Sequence, residues 1–291
     1  MENQVSPKVP RVLAIHDMSC LGRCSLTVVL PIMAACGIQA VPLPTALFSN
    51  HLAFPYETHY DFTDHMVPFM NMWDQNGVDF QGIYSGFLAS PRQIDIVEEA
   101  IRRYADPGSF VVVDPAMADG GRMYAVYTED MVRHMRHLVK HAVMIKPNYT
   151  EACFLTGTAY HPEYAMTEAE LMNFLHQLSE GPEEIVMTSV PAGQGELMNV
   201  WYDKKQNRMG KIQFPLLPME TCGTGDMFSS VLTACRMQGI DLETAVKEAT
   251  AFMERVIRDT LRAGTRREQG VLFEPRLPEL MKFLKVGKNM E

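Results

Sequence analysis

Short apolar runs alternate with helix-like segments along most of the chain, and this alternation is the feature that most constrains its fold. The runs that indicate buried strands cover residues 11–16, 38–43, 80–84, 110–113, 142–145 and 184–187. Helical features lie between them, such as Ser90 before Pro91, a typical N-cap and first helical residue. Strands that alternate with helices predict an α/β fold, a mostly parallel sheet with helices on both faces.

The last third of the chain follows a different pattern. Two β-like runs within residues 196–214 flank a polar turn at 203–207, which predicts a hairpin. Two long helical patterns follow, at 225–238 and 242–261. Since no low-complexity linker and no internal repeat interrupts the sequence, we expect residues 1–291 to form one domain.

Composition limits the function classes. Of the 291 residues 47% are hydrophobic and 21% charged, and the net charge is −9, which is typical of a soluble globular protein and argues against general nucleic-acid binding. The sequence shows no secretory signal and no apolar run long enough to span a membrane. Its six cysteines are therefore expected to be reduced, and the protein to be cytoplasmic.

The ends of the predicted strands are where a ligand is expected, because parallel α/β sheets bind ligands beyond their carboxyl ends. The polar residues at these positions are Asp17, Ser85, Asp114, Lys146 and Thr188. We expect these side chains to gather at one edge of the sheet.

The sequence Gly-Thr-Gly-Asp at residues 223–226 opens one of the long helical patterns. Its glycines allow a tight turn, and the free amides of a helix N-terminus attract an anion. Asp226 has two interpretations, as a cap of this helix or as a base that accepts the proton of a hydroxyl attacking a phosphoryl group. The chain contains neither a Walker loop nor a G-x-G-x-x-G segment after its first strand, which argues against those two nucleotide-binding families.

Further motifs follow the strands in the order of a known superfamily. Asp-Pro-Ala-Met at 114–117, Asn-Tyr-Thr-Glu at 148–151 and the glycine motif together resemble the signature of the ribokinase superfamily. Within it, residues 13–17, 48–51 and 84–87 are similar to segments of pyridoxal kinases. The resemblance implies a three-layer α/β/α ribokinase-like fold and ATP-dependent phosphorylation of the 5′-hydroxymethyl group of a vitamin B6 vitamer, in the salvage of pyridoxal phosphate.

The resemblance also implies roles for individual residues. Asp226 would be the catalytic base, and the amides of Gly223, Thr224 and Gly225 would form an anion hole around the γ-phosphate. The ATP-binding positions would be Asp114, Asn148, Glu151, Thr188, Ser189 and Cys222, with Asp119 and the stretch 219–222 nearby. Glu151 and Asp114 would hold Mg²⁺, partly through water, and a monovalent cation such as K⁺ is a further candidate cofactor. Asn148 and Glu151 also have the spacing of a helix capping box, so a structural role stays open.

The substrate side is where the chain departs from the pyridoxal kinase pattern. Phe48 and Phe87 match positions that line the vitamer ring, and Leu52 replaces a threonine. Asp17 stands where the family commonly has a serine, and Met18 replaces a histidine. We expect Asp17 to pair with a protonated pyridine nitrogen or an aminomethyl group, which would favour pyridoxamine.

Two other functions remain open. A hydroxymethylpyrimidine kinase of thiamine biosynthesis shares the superfamily and acts on a similar aromatic alcohol, although Ser-Asn-His at 49–51 favours a B6 vitamer. The other is a vitamin-binding protein without turnover. The presence of Asp226 argues against it, since a protein that only binds needs no base. The resemblance further implies a homodimer.

Three histidines form a separate cluster at positions 134, 137 and 141. His137 and His141 have the i, i+4 spacing of metal ligands on a helix. Arg133, Arg136 and Lys140 share this segment and would repel a metal ion. We therefore interpret the segment as a solvated basic face.

Overall fold

The computed structural model describes residues 9–218 and 221–286. The strands are β1 (Arg11–Ser19), β2 (Gln39–Phe48), β3 (His59–Asp61), β4 (Gly82–Ser85), β5 (Phe110–Val113), β6 (Ala118–Asp119), β7 (Arg122–Met123), β8 (Met144–Ile145), β9 (Glu184–Gly193), β10 (Glu196–Asp203) and β11 (Arg208–Pro215). The helices are α1 (Leu26–Ala35), α2 (Thr63–Gln75), α3 (Pro91–Tyr104), α4 (Glu129–Leu138), α5 (Tyr149–Thr156), α6 (Glu168–Leu178), α7 (Thr224–Met237), α8 (Leu242–Ala263) and α9 (Leu277–Phe283).

One sheet holds nine of these strands, in the order β11-β10-β9-β8-β5-β4-β1-β2-β3. The six strands from β9 to β2 in this order pair in parallel, whereas β3 on one edge and the β10–β11 hairpin on the other are antiparallel. The predicted mostly parallel sheet and the predicted hairpin are therefore confirmed. The small β6–β7 ribbon lies outside this sheet.

Alternate residues of the strands pack into two separate cores. On β1, Leu13 and Ile15 enter the core that α2 to α6 cover, and Val12 and Ala14 enter the core that α1, α7, α8 and α9 cover. A parallel sheet needs cover on both faces, because both faces are apolar. The three-layer α/β/α arrangement is thus confirmed.

The boundaries of several elements differ from those that the sequence predicts. β1 and β2 extend beyond the predicted runs, to Ser19 and Phe48, and their register shifts between His16 and Met18. Sequence patterns did not indicate α2 or β3. α2 contains Pro68 and has no side-chain cap at its start, so its N-terminal signals are weak.

No helix among the residues that the structure describes has the length and apolar character needed to cross a membrane. All six cysteines, which lie within the described ranges, are free thiols.

Candidate active site

The glycine motif forms the turn into α7. Gly223 is the N-cap residue and has a left-handed φ of 77°. A Cβ atom at this position would lie 1.9 Å from the Arg23 carbonyl oxygen, so the loop before α1 packs directly on the glycine backbone. The amides of Thr224 and Gly225 belong to the first helical turn, where backbone N–H groups have no acceptor within the helix. The tight turn into a helix that the glycines predict is therefore present, and its role in binding an anion stays a prediction.

Asp226 follows in the first turn of α7, whose N-cap residue Gly223 has no side chain to cap the helix. Its Oδ2 accepts a hydrogen bond of 2.8 Å from the backbone amide of Ser25, a residue with a φ of 48°. Burial raises the pKa of Asp226 to about 6; the Asp114 and Asp17 carboxylates add to the rise, while the Ser25 amide and Lys146 oppose it. The carboxylate is thus ionised at neutral pH and able to accept a proton.

Asp17 lies at the point where the register of β1 and β2 shifts, and it is buried. The Ser25 hydroxyl donates to its Oδ1 at 2.6 Å, and the Ser19 hydroxyl donates to its Oδ2 at 3.3 Å. Burial raises the pKa of Asp17, and these two hydroxyls oppose the rise. Ser25 thereby links Asp17 to Asp226, with its side chain on one carboxylate and its amide on the other.

A buried ion pair connects the ends of β5 and β8. Lys146 Nζ lies 2.9 Å from Asp114 Oδ2, and both side chains are about 95% buried or more. The Ser229 hydroxyl of α7 donates to the same Asp114 oxygen at 2.7 Å. Burial by itself would lower the pKa of Lys146, but the carboxylates of Asp114, Glu151 and Asp226 outweigh it and raise this pKa. Lys146 therefore stays charged at the centre of the acidic cluster.

Asn148 and Glu151 form the capping box that their spacing predicts, at the start of α5. The Glu151 oxygens accept hydrogen bonds from the amides of Met117 at 3.2 Å and Asn148 at 2.7 Å. Burial raises the pKa of Glu151, the Asp114 carboxylate adds to the rise, and Lys146 opposes it. The capping box accordingly places a buried carboxyl group beside the ion pair.

A cavity of about 220 Å³ opens next to this group. Its lining includes Asp119, Asn148 and Ser189, together with the side chains Tyr149, Thr150, Tyr160 and Leu197. Thr188 joins the same edge through a parallel bridge to Asn148. The structure thus brings together most of the residues predicted for the ATP side.

The other predicted positions lie around this centre. The Cys222 thiol donates to the Arg267 carbonyl oxygen at 3.4 Å, whereas Met219 and Glu220 lie outside the described residues. Phe48 stacks on His59 with ring centroids 5.1 Å apart. Phe87 packs between Tyr124 and Tyr127. Leu52 is 56% exposed in the turn after β2.

Sequence reasoning missed some residues of the site. Ser25 gives no signal as a partner of Asp226, because the two are 201 positions apart. Ser229 is equally hidden in an apolar helical pattern, although it holds Asp114. The sequence indicates Lys146 only by its position after a strand. The fold places it beside Gly225, since a Cβ atom on Gly225 would lie 3.4 Å from Lys146 Nζ.

A family model described as phosphomethylpyrimidine kinase matches residues 67–271, more than two thirds of the chain. The chain belongs to the phosphomethylpyrimidine kinase family. As a member of this kinase family it is a phosphotransferase that acts on an alcohol group.

Similar proteins carry two names, pyridoxal kinase and phosphomethylpyrimidine kinase. A pyridoxal kinase of Leifsonia xyli is 25% identical over 268 residues, which cover 88% of this chain and 91% of the relative. A Bacteroides thetaiotaomicron protein with the provisional name phosphomethylpyrimidine kinase is 40% identical, covers 96% of both chains and superposes with a TM-score of 0.91. A second crystal form of that protein, with pyridoxal, is 38% identical and has a TM-score of 0.88. The resemblance to pyridoxal kinases and the ribokinase-like fold are confirmed.

Proposed function

We propose that this kinase transfers the γ-phosphoryl group of ATP to the 5′-hydroxymethyl group of a vitamin B6 vitamer. The observation that carries the proposal is the Asp226 carboxylate, held by the Ser25 amide at the anion-binding start of α7. The relative crystallised with pyridoxal, 38% identical over 96% of the chain, supports the choice of acceptor.

Asp226 acts as the base in this proposal. Its Oδ2 is engaged by the Ser25 amide, so Oδ1 takes the proton of the 5′-hydroxyl. The 5′-oxygen forms a bond to the γ-phosphorus while the bond from that phosphorus to the β,γ-bridging oxygen breaks, and ADP leaves with the electron pair. The amides of Gly223, Thr224 and Gly225 stabilise the charge on the transferring phosphoryl group.

The acidic cluster fits a magnesium ion. Asp114 Oδ1 is buried and has no hydrogen-bond partner among the described residues, and Mg²⁺ prefers carboxylate oxygen and water as ligands. Glu151 and Asp114 would hold the ion, partly through water since both Glu151 oxygens accept backbone hydrogen bonds. Bound with ATP, Mg²⁺ would neutralise phosphate charge. A requirement for K⁺ stays a prediction, which a comparison of K⁺ and tetramethylammonium buffers tests.

The ATP side comprises Asn148, Thr188, Ser189 and Cys222 in addition to Asp114 and Glu151. Asn148 and Ser189 line the cavity of about 220 Å³, and Thr188 is bridged to Asn148. These polar groups offer donors to the phosphates and the ribose. Cys222, packed on the Arg267 carbonyl, lies along the nucleotide in this proposal.

The vitamer side comprises Asp17, Phe48, Leu52 and Phe87. The Ser25 and Ser19 hydroxyls each donate to one Asp17 oxygen, so a positively charged group of the substrate would bind Asp17 in addition to these two hydroxyls. Asp17→Asn removes the negative charge that attracts such a group. It should therefore reduce kcat/KM for pyridoxamine, which carries an aminomethyl group, more than for pyridoxal. An equal loss on both vitamers would contradict a role of Asp17 in the preference.

The family name itself favours a second candidate, phosphorylation of hydroxymethylpyrimidine or its phosphate. ADP release with Mg-ATP, measured in parallel on pyridoxal, pyridoxine, pyridoxamine and the two pyrimidines, separates the candidates. Turnover of the B6 vitamers supports the proposal, and turnover of the pyrimidines alone would replace it.

Asp226→Asn distinguishes a kinase from a vitamin-binding protein. It keeps an oxygen for the Ser25 amide but removes the base, so we expect turnover to be lost while Mg-ADP binding remains. Asp241→Asn is the control, because Asp241 caps α8 outside the site. Normal turnover in Asp226→Asn would refute the mechanism.

We also propose that residues 1–291 work as one domain in a cytoplasmic homodimer that salvages pyridoxal phosphate. Both sides of the site are built on the same nine-stranded sheet, which supports one domain. Exposed Leu52, Tyr56 and Tyr60 offer an apolar surface beside the edge strand β3. Light scattering during size-exclusion chromatography measures the oligomeric state, and a monomer would contradict this part of the proposal.

A further inference from the structure

Lys146 lies against the anion-binding turn. Its side chain runs from the end of β8 to the start of α7, where a Cβ on Gly225 would be 3.4 Å from Nζ. The residue is only 4% exposed. A fixed positive charge therefore stands beside the backbone amides that would receive a phosphoryl group.

The ammonium of Lys146 has unused hydrogen-bonding capacity. An ammonium group carries three donors, and Asp114 is its one ion-pair partner within residues 9–218 and 221–286. Burying an ion is unfavourable unless its donors are satisfied. An oxygen of a bound phosphoryl group would satisfy a second donor.

We propose that Lys146 donates a hydrogen bond to a non-bridging γ-phosphoryl oxygen during transfer, as a catalytic residue, while Asp114 and Ser229 hold its ammonium in place. This inference deepens the proposed function and rests on it. Charge spreads over the three non-bridging oxygens in such transfers, and a positioned cation stabilises it. Lys146 thus adds a full charge to the partial charges of the glycine amides.

Lys146→Met tests the proposal, because Met keeps the length of the side chain and removes the charge. We expect kcat to fall roughly 100-fold or more, as with the loss of other transition-state donors. KM for the alcohol and the affinity for Mg-ADP should change little. Lys140→Met is the matched control, since Lys140 is an exposed lysine paired with Glu180 outside the site. A kcat of Lys146→Met close to that of the control would overturn the proposal.

Chemical rescue separates the charge of Lys146 from its role in folding. Lys146→Ala leaves a space that n-propylamine fills with the missing Cγ-to-Nζ atoms, and n-propanol is its uncharged analogue. Saturable recovery of kcat with the amine alone supports the proposal. Equal recovery with both compounds would show that Lys146 only fills space, and no recovery in a variant that retains its folded circular-dichroism spectrum would also count against it.

A binding measurement keeps this test independent of the acceptor. ADP with aluminium fluoride mimics the transferring phosphoryl group, so the parent should bind this combination more tightly than ADP, and Lys146→Met should lose the gain. An equal gain in parent and variant would overturn the role of Lys146. Absence of turnover on every alcohol in the parent would instead overturn the proposed function.

A second inference rests on a different part of the molecule, the outer surface of α3, α4 and the short 3-10 helix Val139–His141 that follows α4. Glu98, His137 and His141 bring one ligand atom each to within 4.8 Å of one another. His137 Nδ1 is 2.7 Å from Glu98 Oε1, and the ring centroids of His137 and His141 are 5.0 Å apart. Two imidazoles and one carboxylate form a common ligand set for zinc.

The basic residues that argued against a metal ion here have other partners. Arg133 pairs with Asp130, the Arg136 guanidinium donates to the Phe154 carbonyl oxygen, and Lys140 pairs with Glu180. Arg102 remains near Glu98, but its guanidinium lies 4.0 Å from Oε2, whereas His137 contacts the other oxygen, Oε1. The charges of Arg133 and Lys140 are thus balanced by carboxylates, whereas Arg136 keeps its charge and is held by a backbone carbonyl oxygen, so these residues repel a metal ion less than their sequence suggests.

We infer that Glu98, His137 and His141 bind a divalent transition-metal ion such as Zn²⁺, with water completing its coordination. Titration of the full chain with Co²⁺, followed by visible absorption, should give the spectrum of a site with nitrogen and oxygen ligands. Zn²⁺ should displace the Co²⁺. His137→Ala and His141→Ala should each weaken Zn²⁺ binding at least roughly tenfold, since even indirect partners of a metal contribute that much.

His134→Ala is the matched control, because His134 lies on α4 with His137 but outside the three-residue group. It should leave the affinity unchanged. Equal affinity in His137→Ala, His141→Ala and the control would overturn the metal site.

Discussion

Replacing Gly223 with alanine is the most direct perturbation of the proposed anion-binding turn. An alanine Cβ would lie 1.9 Å from the Arg23 carbonyl oxygen, and real Cβ atoms do not approach closer than about 3.0 Å. The turn and the loop before α1 must therefore separate by about 1.1 Å. The left-handed φ of 77° adds strain of roughly 1–2 kcal/mol for a residue with a Cβ.

This displacement falls on the groups that the proposed mechanism requires. The same loop holds Asp226 through the Ser25 amide at 2.8 Å, so a shift of about 1 Å separates the base from its donor and moves the helix amides. A misplacement of about 1 Å can reduce a rate roughly 100-fold. We therefore expect kcat for ADP release to fall by about that factor in Gly223→Ala.

Gly239→Ala is the matched control for backbone strain. Gly239 has a φ of 80°, follows the other end of α7, and has no atom within 4 Å of its would-be Cβ. This variant should lose about 1–2 kcal/mol of stability in urea unfolding and keep its kcat. If Gly223→Ala and Gly239→Ala had the same kcat, the close packing of Gly223 on Arg23 would not position the catalytic groups, and the reasoning would be refuted.

Three further predictions concern acid–base behaviour, the core and the ion pair. Since Asp226 must be ionised and its pKa is raised to about 6, kcat/KM should decline as the pH falls through about 6, and a pH profile that stays flat down to pH 5 would contradict its role as base. Phe252→Ala on α8 should cost about 3–5 kcal/mol in urea unfolding, whereas Leu261→Ala, exposed on the same helix, should cost far less. Ser229→Ala removes one donor to Asp114, so it should lower the free energy of unfolding by about 1–3 kcal/mol and reduce kcat less than Lys146→Met does. A loss of kcat larger than that of Lys146→Met would contradict the view that Ser229 only supports the ion pair.

The sequence alone could predict the central sheet because its strands are apolar on both faces. The run at 110–113 coincides with β5, and the hairpin turn at 203–207 separates β10 from β11 as expected. α2 could not be predicted in this way, since Met66 and Met70 are its buried apolar side chains while Phe69 and Met72 remain exposed. A helix that buries so narrow a stripe gives a weak periodic signal.

The candidate site was predictable in its types of residue but not in its contacts. Local motifs indicate Asp226, Glu151 and Asp114, because each lies at a strand end or a helix start. The hydrogen bond from Ser25 to Asp226 joins positions 201 apart, and that from Ser229 to Asp114 joins positions 115 apart. Such contacts depend on the order of strands in the sheet, which no local pattern specifies.

These long-range contacts explain how a short turn can hold the groups of the proposed mechanism in place. The start of α7 is tied to the loop before α1 by the packing of Gly223 on Arg23 and by the hydrogen bond from Ser25 to Asp226. On its other side, Ser229 ties it to Asp114 and, through that carboxylate, to Lys146. Because the connections reach the ends of separate strands, the turn cannot shift without breaking a buried hydrogen bond, which costs about 1–3 kcal/mol for each group left unsatisfied. The rigid sheet thereby fixes the positions of the proposed base, Asp226, and of the helix amides. Phosphoryl transfer depends mainly on positioning and charge stabilisation, so the proposed mechanism requires this rigidity.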